Sequence, residues 1–172
     1  MQLNNVFLKI KDILETLSFL TVIIATIFGF YQYLGSLKRD KINNVLEYNN
    51  RFNSNELLKS KHKIENAWSK NRYNLEILQR YGIKDKKVID KFTNSIITNY
   101  NLQKDIDNLV DFYNNLSICI KSNICDKKSA IIFFKDYANR FYKLHKSYIQ
   151  KQDKFINDYS SGLKYIINLK NE

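Results

Sequence analysis

A chain of 172 residues with a net charge of +11, no proline and four glycines can bury one core without a structural metal. All-β and α/β folds need turn residues at most strand junctions, so this scarcity argues against both and for long helices joined by short polar links. The charge rests mainly on lysine, which lacks the bidentate fork of arginine, so basicity alone does not specify phosphate recognition.

In chain order, Leu3, Val6, Phe7, Ile10, Ile13 and Leu14 recur at helical spacing and predict an amphipathic segment over residues 1–15. It extends the next element or lies along a membrane interface. From Thr16 to Leu37 no residue is charged, a run of 22 positions. As a helix it reaches roughly 33 Å, enough for a hydrocarbon layer about 30 Å thick. Its ten large apolar residues between Leu17 and Leu34 each favour insertion by about 0.3–0.6 kcal/mol, roughly −3 to −6 kcal/mol together.

A soluble core helix would carry a polar stripe, whereas this run offers Ser18, Thr21, Thr26 and Gln32. Tyr31 and Tyr33 fall where an interfacial aromatic belt belongs. A secretory signal fits less well, because the run is long and Asp12 and Glu15 occupy its leader. Residues 16–37 are therefore expected to be a retained transmembrane helix.

Lys9 and Lys11 precede the run; Lys38, Arg39, Lys41 and Arg51 follow it. The excess of basic residues after the span predicts an inner (cytoplasmic) membrane protein with its C-terminal part in the cytosol. Cys119 and Cys125 are the only cysteines; Cys-x5-Cys without neighbouring histidines matches no metal spacing, a disulfide is the alternative, and two free thiols, at least one packed as a small hydrophobe, are the preferred reading. Thr21, Ala25 and Gly29 recur every four residues, a face on which two spans can approach closely.

Ile42, Val45, Leu46, Asn49 and Phe52 carry a narrow stripe, which predicts a basic juxtamembrane stalk over residues 38–52 and a helical domain over 53–172. Asn53 with Glu56 three residues on suggests a capping box. Leu57, Ile64, Trp68, Leu75 and Leu78 mark a helix broken near "SKNR" and ending before Gly82. Another starts around Asp85, pauses at "NYN", and resumes through Ile106, Leu109, Val110, Tyr113 and Leu116. "KSNICDKKSA" reads as a turn with Asp126 as N-cap, and Phe133, Phe134, Tyr137, Phe141, Leu144 and Tyr148 form a bulky face for an antiparallel hairpin. "SSG" is expected to end that helix before a short last one. The predicted fold class is all-α, an N-terminal transmembrane helix followed by a cytosolic bundle of long antiparallel helices.

The stretch "IDNLVDFYNNLSICIKSNICDKKSAIIFFKDYANRFYKLHKSYI" pairs an acidic-aromatic helix with an aromatic-rich one across a short turn. With a membrane span near the N-terminus, it resembles uncharacterised families of bacterial single-pass proteins with a cytosolic helical domain. The resemblance implies architecture only; such families bring no assigned reaction.

Asp107 and Asp111 lie one turn apart with Asp105 nearby, and Asp136 is a further oxygen donor for an ion. A solvated or lysine-paired face is the preferred reading. His62 sits in "KSKHKIE" on a solvated face, and His145 is expected to edge the core. No metal-ligand motif, Gly-rich phosphate loop or nucleophile elbow is present, so neither enzyme activity nor a cofactor is expected.

Residues 57–91 hold ten basic and four acidic groups, residues 92–118 one and three, and residues 135–154 six and two. Positive regions tethered near an anionic leaflet are attracted by about 1 kcal/mol per basic residue. Lys59, Lys61 and Lys63 are the candidate patch for a partner or nucleic acid, with nucleic acid the less favoured. The function expected is a non-enzymatic module that contacts membrane lipid and associates with itself or another protein at the cytosolic face. The alternatives are a membrane-perturbing effector of a defence or toxin system, motivated by the small-residue face beside an amphipathic leader, and a tethered basic domain that binds nucleic acid or anionic lipid.

Overall fold

The computed structural model describes residues 2–80 and 85–170, and side chains from residue 17 onward apart from those of 75, 78, 79 and 86. The amphipathic face of residues 1–15, Leu75, Leu78 and the stop at Gly82 lie outside the described side chains or residues. Among the described residues every regular element is a helix: α1 (Gln2–Phe52), α2 (Asn55–Lys70), α3 (Arg72–Arg80), α4 (Lys86–Asn99), α5 (Gln103–Lys121), α6 (Lys127–Gln152) and α7 (Ser161–Asn168). The chain divides into two compact units, Met1–Asp40 and Lys41–Glu172.

The second unit is built around α5. Ile106, Leu109, Val110, Tyr113 and Leu116 are completely buried there, because α2 and α7 both pack on α5 while α6 packs on α7 and α4 on α6. The last three turns of α1 belong to this core. Val45 is buried, and Phe52 meets Phe112, Tyr113, Phe134 and Tyr137 at ring separations of 4.9–6.2 Å. Offset and edge contacts of that kind add to area burial. The stalk expected over residues 38–52 is thus corrected: from Lys41 onward it is part of the compact unit, since its apolar stripe finds α5 to cover it.

Several helix boundaries follow the predicted punctuation. Asn71 separates α2 from α3, and Asp85 caps α4 by accepting from the Lys87 N–H at 2.8 Å. Asn101 takes a left-handed turn (φ 50°) before α5. Asp126 accepts from the Ser129 N–H at 2.8 Å and starts α6. Two boundaries differ. Ser54, not Asn53, occupies the N-cap of α2, and no side-chain cap bond forms. Asn53 instead donates its amide back to Asn49 and accepts from Lys61 at 2.8 Å.

"SSG" begins α7 and does not end α6, which stops at Gln152. The Asp153 carboxylate accepts from the N–H and hydroxyl of Ser160, fixing the turn that launches α7. Gly162 then rests on α5 so closely that a Cβ would fall 2.4 Å from the Asn114 Cα. Asn114 secures the approach by accepting from the Gly162 N–H and donating to the Tyr159 carbonyl.

The expectation of free thiols is also corrected. Cys119 and Cys125 form a disulfide. The C-terminal turn of α5 unwinds through Asn123 (φ 59°), and the Ile124 and Cys125 N–H groups both donate to the Cys119 carbonyl, which brings the two Cα atoms to 5.2 Å.

Candidate functional site

In the first unit, every residue from Leu17 to Gly35 is exposed. Large apolar side chains stand open from Leu17 to Leu37, between 38% exposed at Leu37 and 78% at Tyr31. Contiguous apolar surface on this scale marks a protein–protein or membrane interaction site. The hydroxyls that interrupt it are turned inward: Thr21 donates to the Ser18 carbonyl at 2.7 Å and Thr26 to the Val22 carbonyl at 2.8 Å. That arrangement satisfies polar atoms within the helix, as a lipid environment requires. Among the described residues, this is the one helix long and apolar enough to cross a membrane.

Thr21, Ala25 and Gly29 are all exposed, and nothing lies within 4 Å of a Cβ built on Gly29. Lys38, Arg39 and Arg51 are exposed, and the Arg51 guanidinium lies over the Tyr48 ring. Lys41 is half-buried and donates to the Asn123 side chain at 2.7 Å.

Of Lys59, Lys61 and Lys63, the first and last are exposed and the middle one is turned inward. Lys61 is buried: its ammonium donates to the Phe52 carbonyl and Asn53 side chain and sits 4.1 Å from the centre of the Phe52 ring. Desolvation lowers its pKa against the raising effect of Glu65. Lys63 is paired with Asp105 at 2.7 Å and bonded to the Asn101 carbonyl. Lys59 remains on the exposed face with His62. Lys59 and Lys63 are one turn apart and line the same shallow hollow, whereas Lys61, two positions from each, faces the opposite side of the helix.

The acidic residues of α5 are distributed in a similar way. Asp105 serves Lys63 and the Ser60 hydroxyl, while Asp107 accepts from the Tyr148 and Tyr159 hydroxyls. Those bonds tie α5 to α6 and to the segment before α7. Asp111 is exposed, and its pKa is raised by partial desolvation and then by Asp107. Among the described residues no group of three His, Cys, Asp or Glu converges on a metal-sized site.

His145 lies inside the core, not at its edge, with 1% of its surface exposed. Trp68 Nε1–H donates to its Nε2 at 3.1 Å, so the remaining ring proton sits on Nδ1 and is donated to the Phe141 carbonyl at 2.8 Å. The helix kinks there, with φ −108° and ψ 16°. Desolvation pushes the imidazole pKa down to about 4 against the raising effect of that backbone bond. A hollow of about 520 Å³ opens beside the pair, with Tyr137, Phe141, Glu65 and Arg140 among its lining residues. Both imidazole nitrogens are occupied, so the ring is not poised to take a proton from a ligand. The Trp68–His145 pair was not foreseen from the sequence.

No family model, curated protein or solved structure matches this chain. Functional assignment therefore rests on the chain's own chemistry. What that chemistry offers is an uncovered apolar helix joined to a well-packed helical unit.

Proposed function

We propose that the chain is a membrane-anchored, non-enzymatic helical module that mediates protein–protein association at a membrane face. The uncovered apolar surface from Leu17 to Leu37 carries this reading. The second unit acts as a cytosolic bundle of antiparallel helices in this account, in keeping with the resemblance to bacterial single-pass proteins. Self-association runs through Thr21, Ala25 and Gly29, where small side chains let two helices pack in lipid. Replacing Thr21 and Gly29 together by Leu is expected to weaken association roughly tenfold, about 1.4 kcal/mol, in native mass measurements on detergent-held protein. An unchanged oligomer would remove the span from that role.

The cytosolic orientation at the inner membrane rests on the basic residues Lys38, Arg39, Lys41 and Arg51 against Lys9 and Lys11. A second reading is favoured by one specific observation. The Cys119–Cys125 disulfide fits an oxidising compartment better than a reducing cytosol. Protease added outside sealed, right-side-out membrane vesicles separates the two. Protection of residues 41–170 supports the charge-based orientation, and digestion supports the oxidising side.

A further inference from the structure

We propose that the turn closed by Cys119 and Cys125, with Ile124 at its tip and Lys121 and Lys128 flanking it, lies against the surface of an anionic phospholipid bilayer. This rests on the membrane-anchor reading. Three bonds fix the position of the turn against α1: Asp126 N–H donates to the Lys41 carbonyl at 3.1 Å, Lys41 Nζ to Asn123 at 2.7 Å, and Asn44 Nδ2 to the Ile124 carbonyl at 3.0 Å. Lys41 is four residues after Leu37, the last position of the uncharged run. Four residues span at most about 14 Å fully extended and about 6 Å as helix. With the run in lipid, the turn cannot be far from the headgroups.

The chemistry of the turn suits that place. Ile124 is 54% exposed although the backbone on either side is held, and Ile118 and Ile132 on the flanking helices are 59% and 78% exposed. Lys121 and Lys128 are exposed on the same helix ends, Lys121 resting on the Tyr165 ring and Lys128 one turn before Ile132. Within the second unit, Lys41 and residues 118–128 together hold four basic residues and one acidic one. Apolar side chains interleaved with lysine match an anionic interface, where each basic residue near the surface is attracted. The disulfide sets the shape that presents Ile124, since the Cys119 carbonyl takes both the Ile124 and Cys125 N–H groups.

The test uses the full chain in vesicles of phosphatidylcholine with phosphatidylglycerol, carrying bromine at shallow or deep acyl positions as quencher. Ile124→Trp and, separately, Phe28→Trp report the two depths, and buried Trp68 supplies a constant background measured in the unsubstituted chain. The expected result is that shallow bromine quenches the Ile124→Trp signal by about half and deep bromine quenches Phe28→Trp. Lys121→Gln with Lys128→Gln should relieve the shallow quenching. Quenching at Phe28 without quenching at Ile124 overturns the surface contact and leaves the anchor intact. No quenching at either overturns the anchor itself. A blue-shifted, unquenched signal at Ile124 overturns the lipid contact in favour of a second protein copy. Ile118→Trp repeats the measurement should the turn not accept tryptophan.

Discussion

Replacing Ile24 and Ile27 together by Arg is expected to release the chain from alkaline-washed membranes into the soluble or aggregated fraction. Both side chains are more than 60% exposed within the uncharged run. Each arginine near the middle of a span costs about 2.5–3.5 kcal/mol, and each isoleucine lost removes a further 0.3–0.6 kcal/mol. The pair shifts insertion by roughly 6–8 kcal/mol, more than the roughly 3–6 kcal/mol that the apolar residues supply. The sign of the effect separates the two environments. In water, arginine on an exposed helix face is neutral or favourable, because it replaces apolar surface with a solvated charge. In lipid the same change is prohibitive. Retention of the double variant in washed membranes, or a parent chain already soluble without detergent, would remove the anchor.

The long apolar N-terminal helix and most helix breaks were legible because each is dictated locally. An uncharged run of 22 residues needs no tertiary information to be read as one long apolar helix. Asp85 and Asp126 work as caps through bonds to residues two and three positions on, and Asn101 turns the chain through its own left-handed backbone. What escaped prediction depends on distant partners. Lys61 goes inward because Phe52 and Tyr137 offer ring faces and the end of α1 offers a carbonyl. The amphipathic pattern of α2 by itself cannot distinguish a lysine that reaches such acceptors from one in solvent. "SSG" looked like a stop because the helix-starting role of Ser160 is set by Asp153, seven residues earlier.

The disulfide illustrates a third kind of limit. Cys119 and Cys125 are six positions apart, a spacing that fits neither a continued helix nor an extended strand. They meet because α5 unwinds at Asn123 while Asp126 begins α6. Closing so short a loop stabilises by roughly 2 kcal/mol in the chain-entropy account. Its turn is tied to the first residues of the second unit: Lys41 donates to the Asn123 side chain and Asn44 to the Ile124 carbonyl.

Acid should destabilise the second unit well above the pH at which carboxylates protonate, and Trp68 with His145 is the cause. The imidazole titrates near 6.5 in an unfolded chain and near 4 in the folded one. Between those values the unfolded state binds more protons, so folding stability falls as pH drops from about 6.5 to about 4 and does not fall further through this group below that. A shift of this size corresponds to about 3 kcal/mol. Protonation would place an N–H on Nε2, facing the Trp68 N–H that donates to it at 3.1 Å, and would bury a charge with no carboxylate bonded to the ring. The Tyr137 phenol beside the hollow does not imitate the effect: burial first, and Glu65 next, push it up to about 12. His145→Gln retains an acceptor for Trp68 and cannot titrate, so it should flatten the dependence between pH 6.5 and 4. His145→Leu leaves the indole N–H unpaired, which costs about 1–3 kcal/mol at neutral pH. Urea unfolding of the detergent-held chain, followed through Trp68 fluorescence, measures all three. Parallel pH profiles for the parent chain and the Gln variant would show that the buried pair is not the acid-sensitive element.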